Sequence, residues 1–115
     1  MEDTLIKRIM PNSLEAEQSV IGSMIMDKEA IVSAMEILTK EDFYHQQYGI
    51  LFDTMVELYN SGLPVDLVTL QNKLKEKKAP AEIASLDHVR DIITAVPTSA
   101  NIKYYAKIVK DHAVR

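Results

Sequence analysis

The chain has 115 residues, 47% of them apolar, no cysteine and a formal net charge of −4. That is enough polypeptide for one compact domain, and it excludes disulfides and thiolate metal sites. No apolar run approaches the roughly 20 residues that a membrane-spanning helix needs, and an acidic balance argues against a general phosphate-binding surface, which requires clustered Lys and Arg.

Residues 1–10 carry Lys7 and Arg8 among acids, lack an apolar h-region and so do not form a signal peptide; they are expected to be a partly ordered tail. Pro11 stops anything upstream. Asn12 or Ser13 then offers a side-chain oxygen to free helix N–H groups. With Asn12 as cap, Glu15 falls at the capping-box position. A helix from Leu14 to about Met26 follows, with Ala16, Val20, Ile21, Met24 and Ile25 on one stripe. Asp27 caps a second helix through Ile31, Ala34, Met35 and Leu38, and the polar Thr39 to Asp42 breaks the pattern.

The strongest periodicity lies between Phe43 and Tyr59. Tyr44, Tyr48, Leu51, Phe52, Met55, Val56 and Tyr59 form one broad apolar face, so these side chains, Tyr44 included, are expected in the core. Gly62 suits the left-handed residue that ends such a helix. Pro64 enforces an extended lead-in, and Asp66 caps the next helix with its oxygen aimed at the N–H of Val68 or Thr69. Leu67, Leu70 and Leu74 face inward. Lys73, Lys75, Lys77 and Lys78 then cluster where cations favour a helix C-terminus. After Ala79-Pro80, Ser85 opens a helix with Leu86, Val89, Ile92 and Ile93 on its stripe. Pro97 breaks it, and Thr98 or Ser99 caps a last helix carrying Ile102, Tyr105, Ala106, Val109 and Ala113. Two helices joined by residues 96–99 make an αα-hairpin. No stretch alternates at period two, so no sheet is expected. The fold class is all-α, about six helices: a globular bundle over 11–78, a connection at 79–84 and a hairpin at 85–113.

Charge is unevenly placed. Residues 1–62 hold 4 basic and 11 acidic side chains, and residues 63–115 hold 9 basic and 6 acidic. Chance placement accounts for this; the sharper alternative is a module with opposed faces suited to assembly with its own copies. Gly22, Gly49 and Gly62 are far apart and none precedes Lys, so no phosphate loop is present. His45, His88 and His112 lack paired metal-ligand spacing. Glu15 and Glu17 point to different sides of one helix and read as cap or solvated-face residues rather than an acid/base pair; Glu41 and Asp42 read likewise. No catalytic, cofactor or metal site is expected.

The string Pro11-Asn12-Ser13-Leu14-Glu15-Ala16-Glu17 resembles the Pro-x-Ser-x-Glu-Ala-Glu run that opens the N-terminal domain of DnaB-type bacterial replicative helicases. Gly62-Leu63-Pro64-Val65-Asp66-Leu67-Val68-Thr69-Leu70 is similar to that family's Gly-x-Pro-Val-Asp-x-x-Thr-Leu element. Val96-Pro97-Thr98-Ser99-Ala100-Asn101-Ile102 with Tyr104-Tyr105-Ala106 is similar to its Pro-Thr-x-x-Asn-Ile-x-x-Tyr-Ala element, and Glu41-Asp42-Phe43-Tyr44 also fits. The family often has a Gly-Gly pair before a Tyr-Leu where this chain runs Ala79 to Val89 without glycine. The resemblance, from Pro11 to Arg115, implies a non-catalytic collar domain. Such domains pair through helical hairpins within a hexameric ring and recruit the C-terminal helicase-binding domain of primase, with a helicase loader as a further candidate partner. It implies a cytoplasmic parent enzyme whose ATP and Mg²⁺ are bound by a RecA-like C-terminal domain absent from this sequence, and little direct DNA binding here. Leu86, Val89, Ile93, Ile102, Tyr105 and Val109 are the expected hairpin-pairing residues. The alternative is a free-standing helical nucleic-acid-binding module using the Lys73 to Lys78 cluster.

Overall fold

A computed structural model describes residues 13–80, 83, 87, 90, 91 and 101–113. Among them no strand occurs, residues 83, 87, 90 and 91 are helical, and the elements with described bounds are five α-helices and one 3₁₀ turn: α1 (Ser13–Met26), α2 (Lys28–Ile37), the turn (Lys40–Asp42), α3 (Gln46–Asn60), α4 (Leu67–Glu76) and α5 (Ile102–Ala113).

Local chemistry sets the boundaries. Asp27, in extended conformation, accepts the N–H of Glu29 at 2.9 Å and caps α2. Asp42 Oδ2 accepts the Thr39 N–H at 2.9 Å and tightens the 3₁₀ turn. The α3 helix ends with Ser61 as C-cap and Gly62 at φ +74°, where a β-carbon would crowd the carbonyl. Asp66 caps α4: its Oδ1 accepts the Thr69 N–H at 2.9 Å, and Thr69 Oγ1 accepts the Asp66 N–H at 3.0 Å. Glu15 lies in the first turn of α1, where the helix dipole favours a carboxylate.

Two layers share one core. The α1, α2 and α5 helices pack mutually, while α3 packs on α1 and carries α4 on its other side. Ile21, Met24, Ile31, Leu51, Met55, Leu70, Leu74 and Val109 are fully buried. Burying each such side chain contributes about 1.5–3 kcal/mol. Gly49 lets the α3 helix meet the 3₁₀ turn: a β-carbon there would stand 2.8 Å from the Lys40 carbonyl oxygen.

Residues 102–113 share the core of the globular part: Ile102, Ala106, Ile108 and Val109 are buried together with α1 and α2. Two expectations need correction. The periodic run beginning at Phe43 does not start a helix there. The chain bends at Tyr44 and His45 and becomes helical only at Gln46, so Tyr44 projects into solvent, 83% exposed, instead of joining the core. Glu17 is not on a solvated face; it is completely buried.

Candidate interaction surfaces

Glu17 is the polar centre of the body. Its Oε2 accepts the Tyr44 N–H at 2.7 Å, and its Oε1 accepts the His45 N–H at 3.0 Å. Oε1 also lies 3.0 Å from His45 Nδ1. A carboxylate from α1 therefore sits at the positive end of α3 and satisfies two backbone donors that precede that helix. The next residue repeats the attachment: Gln18 Nε2 donates to Tyr48 Oη at 2.9 Å. Among the described residues, no buried side-chain polar atom lacks a hydrogen-bond partner. The arrangement ties two helices together and fixes the backbone of an exposed aromatic.

The capping Asp66 carboxyl is held below the usual aspartate range, chiefly by the Thr69 backbone N–H, against the opposing effect of burial and with help from the Thr69 hydroxyl and the Val68 N–H. Lys110 Nζ lies 3.1 Å from Asp42 Oδ2 and joins α5 to the 3₁₀ turn. The lysine cluster at the end of α4 is largely committed within the chain. Lys73 pairs with Glu76 at 3.3 Å, and Lys77 bridges Asp53 and Glu57 from α3. Lys78 takes the left-handed conformation, φ 61°, that a glycine would usually occupy. The Leu74 carbonyl accepts the Ala79 N–H at 2.9 Å, closing a Schellman-type end. These pairings leave only part of the cluster for phosphate, which weakens the nucleic-acid alternative.

Of the expected hairpin residues, Ile102 and Val109 are buried within this chain, and Tyr105 is half-buried beside the core. Leu86, Val89 and Ile93 lie outside the described residues, as do the cap and turn positions Asn12, Pro97, Thr98 and Ser99. Tyr104, which the helical stripe passed over, is 53% exposed and meets the Tyr105 ring edge-on with centroids 5.2 Å apart. With Lys103 and Lys107 exposed beside it, the outer face of α5 is aromatic and basic. A second exposed apolar patch combines Leu63 and Val68 at the start of α4. Among the described residues no group of three or more His, Cys, Asp or Glu could hold a metal ion, and no helix is long and apolar enough to cross a membrane.

Comparisons with known proteins agree in direction. Residues 9–111 match the model of the DnaB-like helicase N-terminal domain. The chain is similar to the replicative DNA helicase DnaB of Geobacillus stearothermophilus, 40% identical over 114 residues, which is 99% of this chain and 25% of that protein. It is similar to the replicative DNA helicase DnaC of Bacillus subtilis, 38% identical over 99% of this chain and 25% of that protein. It thus spans about a quarter of the length of these curated relatives. Among solved structures, the N-terminal domain of the Mycobacterium tuberculosis DnaB helicase superposes with a TM-score of 0.82 at 37% identity, over 86% of this chain and 71% of that one. The Helicobacter pylori DnaB N-terminal domain, determined with its interactions with primase, superposes with a TM-score of 0.74 at 22% identity, over 86% of this chain and 76% of that one; that likeness is one of fold.

Proposed function

The chain belongs to the DnaB-like helicase N-terminal domain family, and from that premise we propose that it acts by contact, as a collar module of a replicative helicase that mediates pairing of copies toward a hexameric ring and receives primase during DNA replication. The observation that carries this reading is the family match across residues 9–111, on a fold whose distinctive polar feature, the buried Glu17, is engaged in holding helices together. The primase interactions described for the Helicobacter pylori domain support the second half of it. Unwinding driven by ATP and Mg²⁺ is assigned to parts of the parent enzyme other than this domain, and its place is the bacterial cytoplasm at the replication fork. A helicase loader is a further partner under this reading.

Self-pairing draws on the outer face of α5. Val109 is consumed by the core, so the accessible aromatic members of this face are Tyr104 and the outward edge of Tyr105. Sedimentation equilibrium of the chain and of its Tyr104→Glu variant tests the assignment. Weaker self-association at unchanged helicity is the expected result; identical sedimentation rejects the α5 face. Calorimetric titration with the C-terminal helicase-binding domain of the same bacterium's primase tests recruitment. Saturable binding is expected, and no binding removes recruitment from the proposal.

A further inference from the structure

A second surface lies away from the outer face of α5 and does not depend on the family reading. An open cleft of about 540 Å³ is lined by Glu41, Asp42, Phe43, Tyr44, His112 and Ala113, where the end of α5 faces the 3₁₀ turn. Tyr44 lines it and is, among the described residues, the most exposed of the large apolar side chains. An exposed aromatic on a floppy loop would lose entropy on binding. This one does not sit on such a loop: its N–H is held by the buried Glu17 at 2.7 Å, and its ring lies edge-on to His45 with centroids 5.1 Å apart. The ring is displayed on a fixed backbone. The cleft wall, Phe43, is itself anchored against Phe52 with centroids 5.1 Å apart.

The charges around the cleft select the occupant. Asp42 is already taken, by Lys110 at 3.1 Å and by the Thr39 N–H at 2.9 Å. Glu41 is exposed and forms no ion pair among the described residues. A displayed aromatic face, a carboxylate without an ion pair among the described residues and an apolar wall are complementary to a cation on an apolar stem. A guanidinium can stack on the phenol ring and bond a carboxylate through its planar fork at once. We propose that this cleft is a docking site for an arginine-bearing peptide segment of a partner protein, with the guanidinium between Tyr44 and Glu41 and the flanking apolar side chain against Phe43 and Ala113.

The test uses the whole chain, ¹⁵N-labelled, at low salt, titrated with the capped peptide acetyl-Ala-Leu-Arg-Leu-Ala-amide. An identical peptide with neutral citrulline in place of arginine is the comparison. Saturable amide shifts confined to residues 41–45 and 111–113 are expected with arginine, with at least fivefold weaker binding of the citrulline peptide. Tyr44→Ala should weaken arginine binding at least fivefold and Glu41→Gln about threefold, with signals elsewhere unmoved, since both side chains are exposed. Equal response to the two peptides, shifts centred elsewhere, or undiminished binding by Tyr44→Ala overturns the proposal.

Discussion

Replacing Glu17 with Gln removes one charge and almost no volume, so it isolates what the buried carboxylate does. Glu17 accepts two backbone N–H groups, at 2.7 and 3.0 Å, and lies against His45 Nδ1 at 3.0 Å. A hydrogen bond to a charged group contributes about 1.5–3 kcal/mol net, a neutral one about 1 kcal/mol. The Gln oxygen can keep one N–H as a neutral bond, while its NH₂ is turned toward the other, donor against donor. The gross loss is therefore about 2–4 kcal/mol. Against it, an amide costs less to bury than a carboxylate. We expect a net destabilisation of about 2 kcal/mol at pH 7, which at this chain length corresponds to a Tm lower by about 8 °C. Urea unfolding followed by circular dichroism at 222 nm measures it, with the slope m unchanged and only the midpoint displaced. Glu36→Gln, exposed on α2, is the control and should lie within about 0.5 kcal/mol of the parent. If Glu17→Gln is equally silent, the carboxylate is not what joins α1 to α3.

Other substitutions probe single features. Gly49→Ala places a β-carbon 2.8 Å from the Lys40 carbonyl, a backbone atom that cannot swing away, and should cost about 1–3 kcal/mol in the same unfolding assay. Lys78→Gly relieves a left-handed backbone at φ 61° and should raise stability by about 0.5–1 kcal/mol; a loss would show that the Lys78 side chain contributes more than its backbone costs. Asp66→Ala should cost about 1 kcal/mol at pH 7. Because the Asp66 carboxyl is lowered in the folded state, its contribution is present above the ordinary aspartate range and lost as pH falls through the lowered value. The gap between parent and variant should therefore hold from pH 7 to about pH 5 and narrow below about pH 4, as read from urea midpoints; a gap that widens in acid would contradict the sign.

Local chemistry was legible in the residues, and long-range chemistry was not. Asp27, Asp66 and Gly62 act within two or three positions of themselves, so their side-chain types alone locate a cap or a left-handed turn. Tyr44 was misplaced because helical spacing continues upstream of the true start of α3. What ends the helix there is Glu17, which takes the Tyr44 and His45 donors from 27 and 28 positions away. No window of residues contains that partnership, so a carboxylate beside Glu15 reads as solvated. Lys78 is a case of the opposite kind, where a Schellman end formed without its usual glycine, so no residue type marks the left-handed position. The apolar spacing of Ile102, Ala106 and Val109 correctly marks a stripe, yet a stripe does not name the surface that covers it. Here the cover is α1 and α2, and the residue left outside is Tyr104.

The segment between α2 and α3 carries a last implication. It has no long helix or sheet ladder to protect it, yet it is fastened at both backbone amides by Glu17, wedged against Gly49 and braced by Lys110 from the far end of the chain. Such a connector has the persistence of the interior. Its Tyr44 and His45 amide protons should trade with solvent deuterium only when the whole molecule opens, on the clock of the core leucines. A surface strip of that kind can meet a partner repeatedly without being remade each time.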